Sequence, residues 1–125
     1  MYLDELNKQR EKCQTEGNIL KEIEILREIL VETEKEYGSE SDGYIKALNE
    51  LGGTLKYVGY YDEAENNLKK SLEIIKKKYG DNNLAYATSL LNLTEVYRFA
   101  QKFNLLEKNY KKIVKIYQDN SADNS

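Results

Sequence analysis

Histidine and proline are both missing from the 125 residues, and cysteine occurs once, as Cys13. Without histidine the chain lacks the usual base near neutral pH and the commonest metal ligand. A single cysteine rules out an internal disulfide, a CxxC redox pair and a thiolate zinc cluster. No uninterrupted apolar stretch reaches the roughly 18 residues of a membrane span, and no charged n-region leads into an apolar h-region. A cytoplasmic setting follows as the default expectation. An excess of one charge is missing too: 19 basic residues stand against 22 acidic ones, for a net charge of -3. With both signs interspersed, neither a nucleic acid nor an anionic membrane is an expected partner. Basic runs such as Lys76–Lys78 and Lys111–Lys112 have acids nearby and read as solvated helix ends.

What is present suits a helical domain with wet faces and one modest core: 33% of the residues are charged and 40% hydrophobic. The absence of proline leaves glycine and short polar clusters as the only punctuation. That punctuation recurs. Gly59 matches Gly17 at an offset of 42 positions, Leu68 matches Leu26, and Tyr79-Gly80 matches Tyr37-Gly38. Forward by the same offset, Tyr44, Leu48 and Leu51 match Tyr86, Leu90 and Leu93, while Tyr57 and Tyr61 meet Phe99 and Phe103. The chain therefore reads as three units, 1–38, 39–80 and 81–122.

Each unit holds two apolar-periodic stretches joined by a tight turn. In the middle unit Tyr44, Leu48, Leu51 and Leu55 share one helical face, as do Ala64, Leu68, Leu72 and Ile75. Six helices are expected, at about 2–15, 18–37, 42–57, 61–79, 84–99 and 103–118. Asp62, Glu63 and Glu65 open the fourth helix and Lys76, Lys77 and Lys78 close it, both favourable to the helix dipole. Gly80 can then take the left-handed conformation that releases the chain. One amphipathic hairpin cannot hide its apolar face, so a constant offset favours a solenoid of stacked hairpins over a closed six-helix bundle.

Leu48-Asn49-Glu50-Leu51-Gly52 followed by Gly59-Tyr60-Tyr61-Asp62-Glu63-Ala64 resembles the tetratricopeptide repeat. That family places a large residue, leucine–glycine, glycine, an aromatic and alanine at these positions. The 42-residue spacing is similar to that of the subclass found in kinesin light chains. The resemblance implies an all-α, right-handed superhelical solenoid of antiparallel helix hairpins. The flanking units depart from the pattern. In the third, Thr94, Gln101 and Leu106 replace the small glycine, the turn glycine and the alanine. In the first, Gln9 and Arg10 stand at the leucine and glycine positions and Glu22 at the alanine, which weakens the register of the first helix.

The resemblance also implies a function. In such arrays the first helix of each pair lines a concave side where peptides or partner helices bind. Projected onto this chain, the partner-binding candidates are Lys46, Asn49, Lys56 and Tyr57 in the middle unit, with Gly53 between them. The third unit offers Leu91, Glu95, Arg98 and Phe99, with Thr88 ahead of them. Asn49 is the foremost candidate, a polar residue between core positions. Lys56 and Arg98 can meet carboxylates or stay solvated, and Arg98 can pair with Glu95 on its own helix. Tyr57 and Phe99 either anchor a partner or close the core beside the turns. Cys13 matches Leu55 and reads as a small buried hydrophobe.

No phosphate-binding glycine loop and no strand pattern is visible, and Asp62-Glu63 is explained by helix-start electrostatics. The expectation is a non-catalytic scaffold without cofactor or metal that binds a protein or peptide. The alternative is a structural or regulatory segment that stacks on further repeats or couples to another domain. Residues 119–125 are a polar tail or the start of a further repeat, because Ala122-Asp123-Asn124 fall 42 positions after Gly80-Asp81-Asn82. If a fourth repeat is missing, the last helix is expected to expose Tyr110, Val114 or Tyr117 and to promote self-association.

Overall fold

The computed structural model describes residues 1–121; the matching Ala122-Asp123-Asn124 lies outside the described residues. Six α-helices follow one another: α1 (Tyr2–Glu16), α2 (Ile19–Tyr37), α3 (Asp42–Leu55), α4 (Tyr61–Tyr79), α5 (Leu84–Phe99) and α6 (Leu106–Asp119). Short 3-10 turns at Lys56–Val58 and Phe103–Leu105 lead out of α3 and into α6. Each helix packs against the next, and α3 also touches α5, so hairpins stack unit on unit. Among the described residues there are no strands, and no helix is long and apolar enough to cross a membrane.

The ends of the helices carry the chemistry that the sequence announces. Asn18, Ser41 and Asn83 accept the backbone N–H three residues on, from Lys21, Tyr44 and Tyr86, and so cap α2, α3 and α5. The turn inside each hairpin passes through one left-handed residue: Gly17 at φ 72°, Gly59 at φ 82° and Gln101 at φ 63°. The third unit therefore keeps the turn although it has lost the glycine, and a residue with a Cβ bears the left-handed cost.

Inside the hairpins the decisive contact is the crossing of the two helices. Gly52 of α3 faces Leu68 of α4, and a Cβ on Gly52 would lie 2.6 Å from Leu68 Cγ. Ala64 beside it is fully buried. The first unit meets the same crossing with charge. Arg10 at the glycine position donates from Nε to Glu22 at the alanine position over 3.3 Å, and from Nη1 to Glu50 of α3 over 2.9 Å. Two departures that weakened the register of α1 are thus a matched pair. Gln9 is exposed, whereas Leu51 in the same position is buried.

The third unit meets the crossing with bulk: Thr94 is buried at the glycine position and Leu106 packs on the core at the alanine position. Here the expected helix 103–118 is corrected. The α-helix starts at Leu106, after the 3-10 turn. Larger side chains at both crossing positions leave no room for the first turn to sit as in α4. Phe103 is consequently 62% exposed, where its counterpart Tyr61 is half-buried against the core. Cys13 lies in the core with Leu6, Ile23 and Leu26, as its position predicts.

Candidate partner-binding groove

Lys46, Asn49 and Gly53 of α3, with Lys56 at the start of the 3-10 turn after it, recur every three or four residues and so share one face. Across from them, α5 presents Thr88 and Asn92. Between the two helices runs an open groove of about 700 Å³, which Tyr57 closes at one end and Tyr79 at the other. A Cβ on Gly53 would make only ordinary contact with Asn92 Oδ1, at 3.8 Å.

The charges of the groove separate into occupied and open ones. Arg10 lines its edge but is held by Glu22 and Glu50. Asp42 accepts from Lys78 at 2.9 Å and from the Tyr79 hydroxyl at 2.7 Å, which hold its carboxyl below the usual range. Among the described residues, Lys46 and Lys56 pair with no carboxylate. They leave positive charge on a groove in a chain of net charge -3. Lys56 Nζ lies 5.0 Å from the Tyr57 ring centroid and 5.5 Å from that of Phe99. The two rings meet edge to face at 5.6 Å. Tyr57 is 62% exposed and does not close the core.

The structure thus brings Lys46, Asn49, Lys56 and Tyr57 together and joins Phe99 to them through Tyr57. Leu91, Glu95 and Arg98 do not line this groove. Leu91 packs on the core. Glu95 takes Arg98 Nε and Nη2 at 3.0 and 2.7 Å and also accepts from the Tyr110 hydroxyl. The Arg98 bonds first, and then that of Tyr110, hold its carboxyl below the usual range against the effect of burial. This is the intrahelical pairing that the sequence offered as the other reading of Arg98.

The repeat pattern does not single out Asn92 or Arg10 as groove residues. Asn92 lies one turn after Thr88, a signal that helical spacing carries. Arg10 registers only as a departure from the repeat. Asn49 has a partner that the pattern does not show either. Its Oδ1 accepts from Ser89 Oγ at 2.9 Å, and Ser89 lies 2.8 Å from Ser71 Oγ on α4.

At the far end, Val114 and Tyr117 on α6 are 52% and 42% exposed, while Tyr110 is half-buried on the core. The counterparts of the exposed pair, Leu72 and Ile75, are buried beneath α5. Of the three alternatives, Val114 and Tyr117 are the exposed ones, while Tyr110 is held by its bond to Glu95 and its packing.

A chain of stacked antiparallel helix hairpins with an inter-unit groove is an all-α repeat solenoid. The sequence profile of the tetratricopeptide repeat matches residues 43–119, and the chain belongs to that family. No curated protein matches it. Among solved structures it is similar to BtubC (BKLC) from P. vanneervenii, at 19% identity and a TM-score of 0.80 over 89% of this chain and 44% of that one. It is also similar to the nearly identical TPR-like repeats of a putative kinesin light chain from Podosopora anserina, at 17% identity and a TM-score of 0.82. That match covers 94% of this chain and 56% of the other. A single-substitution form of the same repeats gives 16% identity, a TM-score of 0.84 and coverage of 96% and 57%. The chain thus spans about half the length of these structures. The shared feature is a fold of kinesin light chain-like repeats.

Proposed function

We propose that the chain is a non-catalytic scaffold that holds a peptide or a partner helix in the groove between α3 and α5. Repeats of this family are in general protein–protein interaction modules. The observation that supports this site is the convergence of Lys46, Asn49, Lys56 and Tyr57 with Thr88 and Asn92 on one groove. Lys46 in α3 and Lys56 at the start of the 3-10 turn that follows are ten residues apart, about 15 Å along the helical axis. An extended segment spans that distance in about four to five residues at roughly 3.3 Å each. Two acidic groups at that spacing meet both lysines, and an apolar side chain between or beyond them can rest on Tyr57.

The test is selection of twelve-residue peptides from a display library, followed by affinity measurement on variants. Asn49→Ala with Lys56→Ala is expected to weaken a selected peptide at least tenfold while circular dichroism shows the chain still folded, at a melting temperature lowered by the loss of the Ser89 acceptor. Undiminished affinity in that folded double variant contradicts the groove.

A second reading is favoured by Val114 and Tyr117. Their uncovered side chains occupy the positions that α5 covers one unit earlier, so α6 offers a seat for a further helix or a second copy. On that reading the segment is structural or regulatory. Concentration-dependent association lost in Val114→Glu distinguishes it from groove binding.

A further inference from the structure

We infer that Ser89 is a positioning residue that turns the Asn49 amide so that its two N–H donors face the groove. The inference rests on the groove reading above and adds what the centre of the groove reads: a hydrogen-bond acceptor, such as a backbone carbonyl of an extended segment.

Ser71 and Ser89 are both fully buried, with their Oγ atoms 2.8 Å apart, and Ser89 Oγ lies 2.9 Å from Asn49 Oδ1. Each hydroxyl carries one proton, so the chain of bonds has a direction. Run from Ser71 through Ser89 to Asn49, both hydroxyl protons find acceptors and the amide nitrogen stays free. Run the other way, the amide donates to Ser89, Ser89 donates to Ser71, and the Ser71 proton has no acceptor among the described residues. A buried donor without a partner is disfavoured, which selects the first direction.

The repeat supplies an internal comparison. Positions equivalent to Ser71 are occupied by Ile29 and Ile113, both buried, and the position equivalent to Ser89 in the preceding unit is the buried Ala47. The serine pair is therefore a local replacement of apolar packing by polar groups. It occurs beside Asn49. Asn7, the equivalent asparagine of the first unit, has Ile29 and Ala47 in place of the serines. Its amide nitrogen is spent on its own helix, donating to the Leu3 carbonyl at 2.9 Å. Without Ser89, Asn49 is expected to do the same and turn its donors onto the Ile45 carbonyl, withdrawing them from the groove.

The experiment compares Ser89→Ala with Ser71→Ala in the whole chain, two equally buried losses of a hydroxyl in one interface. Ser71→Ile with Ser89→Ala, the packing of the first unit, guards against loss of fold. Residual dipolar couplings of the Asn49 Nδ2–H bonds report the amide orientation without any ligand, and a display-selected twelve-residue peptide reports binding. The expected result is a reoriented amide and about tenfold weaker binding in both variants lacking Ser89, with both readouts unchanged in Ser71→Ala. An amide orientation indifferent to Ser89, or equal losses of affinity in Ser71→Ala and Ser89→Ala, overturns the inference. A reoriented amide in a protein that binds none of the selected peptides upholds the positioning role and removes the groove reading instead.

Discussion

Arg10 and Glu22 show how a repeat can lose its consensus residues and keep its geometry. The side chains of both are largely buried, 18% and 8% exposed, and Glu50 of the next unit shares the guanidinium. Breaking one partner strands a buried charge, so Arg10→Ala or Glu22→Ala alone is expected to cost about 3 kcal/mol. The double variant should cost less than the sum by about 1–2 kcal/mol, read from urea unfolding of the four species of the cycle. Additive costs would show that the two residues do not act as a pair. Gln101 supplies the opposite case. At φ 63° it holds the left-handed turn that glycine holds in the other units, so Gln101→Gly should raise stability by about 0.5–1 kcal/mol, seen as a higher urea midpoint at constant slope. The sequence marked all three positions as departures. It could not show that two of them compensate one another, because the offset of 42 compares a position with its counterpart and not with its neighbour across the hairpin.

At the scale of helices, the crossing of α3 and α4 is the contact with the least slack. Gly52→Ala forces a Cβ to 2.6 Å from Leu68 and is expected to cost about 1–3 kcal/mol by thermal melting. Phe103→Ser should be nearly neutral, within about 0.5 kcal/mol, while Tyr61→Ser costs about 2 kcal/mol, because only Tyr61 packs on the core. The α4–α5 contact brings a pH dependence. Burial first, and then the bond from its hydroxyl to Glu65 at 2.7 Å, push the Tyr97 phenol above its ordinary value of 10.0. A raised folded-state value means that the contribution is fully present below pH 10 and is lost as the pH rises beyond it toward the folded-state value. Stability should therefore fall above about pH 10, and Tyr97→Phe should flatten that limb. Helix number, order and most boundaries were legible from the spacing of apolar residues. The late start of α6 was not, since it follows from the joint volume of Thr94 and Leu106 on facing helices.

Across the described residues as a whole, the first and last hairpins present unlike faces. α1 exposes Gln9 where the other two units bury Leu51 and Leu93, whereas α6 exposes Val114 and Tyr117 where the middle unit buries Leu72 and Ile75. Between the ends, the groove was partly legible: the resemblance to the repeat family, projected onto the middle unit, implied Lys46, Asn49, Lys56 and Tyr57, which line it. On α5 the same projection reached Leu91, Glu95 and Arg98, one helical step off the groove; the Glu95–Arg98 pair was legible as the other reading of Arg98, whereas the core contact of Leu91 and the Tyr110 bond to Glu95 were not. The most direct measurement is backbone and side-chain NMR of the labelled chain titrated with a display-selected peptide. The groove account predicts shifts concentrated at Lys46, Asn49, Lys56, Tyr57, Thr88 and Asn92, with α6 unmoved. Shifts confined to Val114, Tyr117 and their neighbours on α6, or none in the groove at saturation, would contradict it.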